Sequence, residues 1–321
     1  MRPKMASTPG LDRERALAWL TSGQVVDNQG AVRSWVNPAH PGFAYPEAAA
    51  IWLSWACWRS ERSEPGPASD VIERVAARLA EELARGRGCG RSGRAYLFDT
   101  CVALHALARA LGCGLVDEIP PGALAGASTA IQRFMQAGTV VLPLADERET
   151  RWSERWGSHL VRAAALLGDA GQRLGEFTLG EMALRIRERC VEPDEPRYVH
   201  AWLYALESEL TLDRASDAVV GVGERLAGLQ TASGALPAWS DGSGPERADA
   251  TAQAVRVWAY LDRERFGEAL ERARVALASL QQEDGGLAYE SGSGDRNTWA
   301  TAFADQAMAW AESGPEPGAW I

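Results

Sequence analysis

The sequence predicts an all-α protein, an (α/α)6 toroid (alpha/alpha barrel) of about twelve antiparallel helices in two concentric rings. Three observations predict it. Helical periodicity recurs along the chain while strand signals are sparse. The helical segments alternate between amphipathic and nearly all-apolar. Six short polar or aromatic clusters recur at intervals of roughly fifty residues, each opening an apolar segment.

The segments are 12–22, 46–60, 69–85, 97–111, 121–137, 157–168, 174–190, 198–211, 214–229, 247–262, 265–282 and 298–312. Odd members such as 69–85 (SDVIERVAARLAEELAR) carry an apolar stripe and a charged face, as a helix with one side in water requires. Even members such as 46–60 (PEAAAIWLSWACWRS) and 298–312 (TWATAFADQAMAWAE) are apolar, aromatic or small on most faces, which suits a helix surrounded by others. The even set is therefore expected inside and the odd set outside. Long loops rich in Gly, Pro and Trp lead into the even members, at 23–45, 86–96, 138–156, 230–246 and 283–297. Ordering such loops costs backbone entropy, so they are expected to bind or gate. A single toroid domain over 1–321 is expected, with 1–11 and 314–321 as flexible ends.

Composition narrows the function classes. A chain of 321 residues, 46% of them hydrophobic, can bury a large core. A net charge of −10 and the lack of long basic runs argue against a nucleic-acid partner, because phosphates need local Lys and Arg excess. Lys4 is the only lysine, a compositional bias from which nothing further is drawn. The five cysteines, Cys57, Cys89, Cys101, Cys113 and Cys190, lack C-x-x-C spacing and read as free thiols of a reducing compartment. No apolar leader and no run of about 18 apolar residues is present, so a cytoplasmic protein without a membrane span is expected.

The six clusters are Tyr45-Pro46-Glu47, Phe98-Asp99-Thr100, Gly157-Ser158-His159, Tyr198-Val199-His200, Asp249-Ala250-Thr251 and Asn297-Thr298-Trp299. If the even helices run side by side in one direction, their first turns converge on one mouth. Two turns, Gln230-Thr-Ala-Ser-Gly234-Ala-Leu-Pro-Ala-Trp239 and Gln282-Glu-Asp-Gly285-Gly286-Leu-Ala-Tyr289, resemble the Q-x-x-x-G turn repeats of terpenoid-cyclase and prenyltransferase toroids and the D-G-G turns of six-hairpin glycosidases. Ala44-Tyr45-Pro46-Glu47, Tyr96-Leu-Phe98-Asp99-Thr100 and Asn297-Thr298-Trp299-Ala-Thr-Ala-Phe303 resemble toroid proteins of bacterial polysaccharide metabolism. The resemblance implies a carbohydrate-active enzyme, hydrolase-like or epimerase- or lyase-like, acting on a saccharide.

On that reading Glu47, Asp99 and Asp249 are the candidate carboxyl acid and base, although each could equally cap its helix for about 1 kcal/mol. His159 and His200 begin consecutive inner helices and would replace the carboxyls in an epimerase, as the resemblance implies. Tyr45, Tyr96, Phe98, Trp152, Tyr198, Trp239, Tyr289 and Trp299 offer aromatic faces, and Gln253 and Asn297 offer polar groups, for holding a sugar. Arg151, with Arg155, suits an acidic or nucleotide sugar, or forms surface ion pairs with Glu147, Glu149 and Glu154. His40 is expected at the rim. Cys101 and His105 lie one turn apart but read as a buried thiol beside a hydrogen-bonded imidazole, so no metal and no cofactor is expected.

Two rivals stand beside this reading. An isoprenoid-handling toroid would have an apolar cavity lined by Trp52, Trp55, Trp202, Trp258 and Trp299, yet the Asp-x-Asp-Asp acid of a protonating cyclase is missing, since neither Asp146-Glu147 nor Asp241 supplies it. A non-catalytic sugar-binding toroid would retain glycans unchanged.

Overall fold

The structure is a computed structural model that describes residues 10–40, 42–143, 151–190, 197–211, 216–316, 318 and 320–321. Twelve α-helices are present among the described residues: α1 (Arg13–Leu20), α2 (Pro46–Glu61), α3 (Ser69–Ala84), α4 (Leu97–Gly112), α5 (Pro121–Ala137), α6 (His159–Leu174), α7 (Phe177–Arg189), α8 (Val199–Thr211), α9 (Asp217–Gly228), α10 (Ala248–Leu261), α11 (Gly267–Leu280) and α12 (Thr298–Ser313). Starts and stops follow local chemistry. Pro46 and Pro121 occupy first-turn positions where a missing N–H costs nothing. Asn297 accepts from Ala300 N at 2.8 Å to cap α12. The helix expected to end at 168 continues to Leu174, because Gly168 and Gly171 lie against α7 rather than in a turn, and left-handed Gly175 stops it.

The ring closes through the even helices. Each packs on the next, α2 on α4, α4 on α6, α6 on α8, α8 on α10 and α10 on α12, and α12 returns to α2. The all-apolar helices are the inner ones: in α4 every residue from Leu97 to Ala110 is buried, whereas α3 buries only Ile72, Val75, Ala76, Leu79, Ala80 and Leu83. Seven very short strands form antiparallel ladders in the loops before the inner helices. They are β1 (Trp35–Val36) with β7 (Arg296–Asn297), β2 (Gly90–Arg91) with β3 (Arg94–Tyr96) and β4 (Val141–Leu142), and β5 (Leu236–Pro237) with β6 (Glu246–Arg247).

Asp305 of α12 fixes the closing seam. It is fully buried and accepts from Trp55 Nε1 at 2.8 Å, from Arg59 Nη1 at 2.5 Å and from Arg13 Nε at 2.7 Å, joining α12, α2 and α1. The outer layer closes by a different device. Gln281 donates to Asp12 O at 2.8 Å and to Gly285 O at 3.0 Å, and accepts from Asp12 N at 2.9 Å. Gln230 repeats the pattern on Gly234 O and Ala269 O, both at 2.9 Å. The glutamine equivalent to Gln230 is thus Gln281, not Gln282 as the turn motif is quoted from sequence. Gly285 and Gly234 have φ of +98° and +91°, and a Cβ there would lie 2.1 Å from Arg15 O and 2.4 Å from Arg272 O respectively.

Within the 314–321 end, the last two residues pack on the ring. Trp320 and Ile321 are buried, with Trp320 edge-on to Trp310 at 4.8 Å between ring centroids and its carbonyl accepting from Arg109 at 2.9 Å.

Two substitutions test the seams by urea unfolding. Asp305→Ala removes the fully buried partner of Arg59, leaving it only Glu64 at 3.5 Å, and is expected to cost about 3–5 kcal/mol. Gly285→Ala, strained and clashing with backbone, is expected to lose at least about 1–3 kcal/mol; an unchanged midpoint in either case would mean that seam does not hold the ring.

Candidate functional site

The N-terminal turns of the inner helices do converge. A cavity of about 300 Å³ is lined by Tyr45 and Glu47 from the start of α2, Tyr96, Phe98 and Asp99 from α4, His159 from α6, Tyr198 and His200 from α8, and Trp299 from α12. Loop residues complete the wall: Trp35, Arg91, Tyr289 and, from a single 3-10 turn at Trp152–Glu154, Arg151, Trp152 and Ser153. The second helical residue is the recurrent position. Tyr45, Tyr96, Arg247 and Asn297 are the residues preceding helices α2, α4, α10 and α12, so Glu47, Phe98, Asp249 and Trp299 are their structural equivalents. His200 holds the same place in α8.

A threonine device holds the rim on three of these helices. Thr100, Thr251 and Thr301 each donate back to the residue four earlier, Tyr96 O, Arg247 O and Asn297 O at 2.8, 2.6 and 2.7 Å. Each hydroxyl also accepts from a loop amide, Cys89 N, Leu236 N and Leu287 N at 3.0, 2.9 and 3.0 Å. The loops are thereby pinned to the helix starts, and two of them bring Arg91 and Tyr289 to the cavity.

One side of the cavity is acidic. Asp99 is 3% exposed and its Oδ2 has no hydrogen-bond partner among the described residues. Burial, reinforced by the neighbouring Glu47, holds its carboxyl well above the usual range. Glu47 is also raised by burial, against the lowering influence of the Tyr45 hydroxyl and Arg91. The Tyr45 hydroxyl serves both carboxyls, and the Arg91 guanidinium lies over its ring at 5.3 Å from the centroid.

The opposite side is basic chemistry over an anion. Burial works to raise the carboxyl of Asp249, but Arg247 and then His200 outweigh it and the group stays ionised. Asp249 Oδ2 accepts from Arg247 Nη2 at 2.8 Å and from Trp299 Nε1 at 3.3 Å. Arg247 also donates to the Tyr198 hydroxyl and stacks on Tyr289 at 3.7 Å. His200 Nδ1 lies 2.6 Å from Gln253 Oε1 and 3.5 Å from Asp249 Oδ2. Burial keeps the imidazole neutral by lowering its pKa, despite Asp249. His159, whose Nε2 has no partner among the described residues, is pushed down to about 3 by burial and by His200.

Trp152 stands over both histidines, edge-on to His159 at 5.1 Å and to His200 at 6.1 Å, and stacks on Tyr198 at 5.0 Å and 27°. Tyr198 is pushed up to about 12 by burial and Asp249.

No protein-family model and no curated protein matches this chain. Solved structures do. A wild-type glycosidase superposes with TM-score 0.68 at 12% identity, over 95% of this chain and 100% of that one. An unsaturated glucuronyl hydrolase specific for heparin gives 0.67 at 12%, over 93% and 95%. The unsaturated glucuronyl hydrolase of Bacillus sp. GL1, responsible for the degradation of glycosaminoglycan, gives 0.64 at 13%, over 94% and 97%. The chain has the fold of the glycosidase toroids.

Within this glycosidase-type toroid the sequence-derived residues separate into three groups. Tyr45, Glu47, Tyr96, Phe98, Asp99, Arg151, Trp152, His159, Tyr198, His200, Tyr289 and Trp299 meet at one cavity. Asp249 and Gln253 are fully buried behind His200, so they act on the wall rather than from it. Trp239 and Asn297 are not at the wall: Trp239 packs on Tyr198 at 5.1 Å, and Asn297 is a fully buried helix cap. Arg91 escaped the sequence reading. Its signal was the Arg91-Ser92-Gly93-Arg94 hairpin, with left-handed Ser92 and Gly93 turning the chain back.

Other expectations resolve as well. Glu154 pairs with Arg94 at 2.7 Å and takes the Arg151 amide, while Glu147 and Glu149 lie outside the described residues, as does Asp146. His105 Nε2 meets Asp169 at 3.0 Å, and His40 pairs with Asp295 at 3.3 Å. Among the described residues, the tryptophans expected to line an apolar cavity do not gather around one. Trp52, Trp55 and Trp258 are fully buried, their indole N–H groups bonded to Leu20 O, Asp305 and Gly223 O, and Trp202 lies beneath Arg197 and Arg225.

The neutral carboxyl at Asp99 has a thermodynamic signature. Its folded pKa is raised, so the stability tied to the protonated form is full below the unfolded value of about 3.9 and is lost as pH rises through the folded value. Asp99→Asn removes that loss, and its gain in unfolding free energy over the parent is expected to be larger at pH 7 than at pH 4. An equal difference at both pH values would show that Asp99 is not held protonated.

Proposed function

We propose that this chain is a carbohydrate-active enzyme of the glycoside hydrolase type, acting on a short saccharide by acid/base chemistry. The observation that carries the reading is the opposed pair of environments in one cavity: the Asp99 and Glu47 carboxyls are pushed toward their neutral form and His200 toward its own. An acid that still holds its proton and a base that still lacks one then coexist at the same pH, the condition for concerted proton transfer. Asp99 is the acid toward the leaving oxygen, with Glu47 holding the second carboxyl of the pair. His200 takes the proton of the attacking water. Phe98, Trp152, Tyr198 and Trp299 supply ring faces for the sugar.

The folds of the neighbours support this, and two of them bear names that specify acidic saccharides, heparin and glycosaminoglycan fragments. Arg151 at the open side and Arg91 in the wall give such a substrate cationic partners. A second reading, sugar epimerisation between His159 and His200, is favoured by one observation: the two imidazoles face the same cavity under the same Trp152 ring.

The experiment is turnover of neutral and uronate-ended oligosaccharides, followed by reducing-end release and by product stereochemistry. Asp99→Asn and His200→Gln are each expected to lower kcat by about 10²- to 10⁴-fold with circular dichroism unchanged. The profile of kcat/KM against pH is expected to be bell-shaped, its acid limb set by protonation of His200 and its alkaline limb by ionisation of the Asp99–Glu47 pair. An epimer with no new reducing end moves the assignment to the histidine pair; glycan bound and recovered unchanged leaves a binding protein.

A further inference from the structure

We infer that Gln253 and Asp249 are positioning residues that lock His200 in its Nδ1–H form, so that Nε2 presents a lone pair to the cavity. This rests on the reading of His200 as the base. Both residues lie on α10 at i and i+4, one above the other on the same helix face, and both are fully buried. Neither reaches a ligand itself. Their oxygens converge on a single ring nitrogen, Gln253 Oε1 at 2.6 Å and Asp249 Oδ2 at 3.5 Å from His200 Nδ1.

Electrostatics decides which atom of the amide faces the ring. Asp249 is an anion clamped by Arg247 and by the Trp299 indole. A bare Nδ1 lone pair would point at that anion, whereas an N–H is attracted to it, so Nδ1 carries the proton and Gln253 must offer its oxygen. The other consequence is visible: Gln253 Nε2 is left buried with no partner among the described residues, a cost of about 1–3 kcal/mol that the fold tolerates to keep this orientation. Around the ring, Tyr204 packs at 4.5 Å and Trp152 and Tyr198 close the edges, so it cannot turn. The other charged or titratable groups facing it are Arg247, Glu207 and His159, in addition to Tyr198 and Tyr204.

Gln253 is neutral, so although its hydrogen bond favours the protonated ring, it fixes the tautomer without adding a second anion beside Asp249. A carboxylate in its place would hold the same proton and also favour the imidazolium.

The test begins on the unaltered protein. With 15N-labelled histidine, and His200 assigned by loss of its signals in His200→Gln, Nδ1 is expected to resonate as a protonated nitrogen and Nε2 as a bare one. Gln253→Leu is expected to give mixed tautomers and a fall in kcat on the order of 10²-fold, below the ~10⁴ seen where tautomer control is lost entirely, with KM unchanged. Gln253→Glu is expected to restore the tautomer and move the acid limb of the pH profile upward. A native Nε2–H form, or an unaltered tautomer in Gln253→Leu, overturns the inference. The reading of the base fails separately, if His200→Gln turns over normally.

Discussion

Everything at the cavity depends on the ring being closed, and the closing contact is polar. The return of α12 onto α2 makes the axis a cavity. At that seam a single fully buried carboxylate, Asp305, is held by an indole and two guanidinium groups from α1 and α2. Such a cluster is specific where apolar packing is permissive: sliding α12 by one turn against α2 would bury the charge unpaired, which costs several kcal/mol. On the rim the β1–β7 ladder pairs Trp35 with Asn297, so the same seam sets Trp35, Glu47 and Trp299 in one wall.

Closure with one sense also aligns the helix dipoles. The inner N-termini present their partial positive charge toward the mouth, an environment that favours negative charge. Burial among aromatic rings opposes it. Asp99 is driven toward the neutral form by burial and the neighbouring Glu47, which outweigh Arg91, while Asp249 is held below the usual range by Arg247 and His200 against its own burial. Two aspartates near the starts of inner helices are therefore shifted in opposite directions by their neighbours. They also differ in position, since Asp249 shares the helical register of Glu47 and Asp99 falls one residue later.

That register explains what was legible in the sequence. Twelve segments and their inner and outer roles follow from periodicity, because an apolar helix has to be surrounded and a striped one does not. The clusters at the inner helix starts mark the cavity for the same reason. Gln253 and Asn297 were legible as polar groups near the starts of inner helices, and the buried environment gives each a partner that sequence does not show: His200 for one, the α12 backbone for the other. Trp239 was legible as a loop aromatic, yet its support of Tyr198 depends on a bridge between two loops that no local pattern records. Arg91 was hidden because its reach depends on a hairpin four residues long. The threonines at 100, 251 and 301, each four residues after the residue that precedes its helix, are the signal that would have aligned the repeats correctly.

The far interior gives the cavity a floor. Arg256 pairs with Glu207 and donates to Gln306 at 3.0 Å, Arg109 pairs with Glu61 at 2.7 Å, and Arg162 donates to Ile321 O at 3.3 Å. These three guanidinium groups are almost fully buried, and Trp320 packs beneath Arg256 at 5.7 Å. A continuous channel would have let water satisfy them; instead carboxylates, an amide and backbone carbonyls do so, and the ring is filled below the reactive groups. The 3-10 turn that carries Arg151 and Trp152 is held to this rim where Glu154 meets Arg94, the Tyr96 hydroxyl and the Arg151 amide, and where Trp152 stacks on Tyr198.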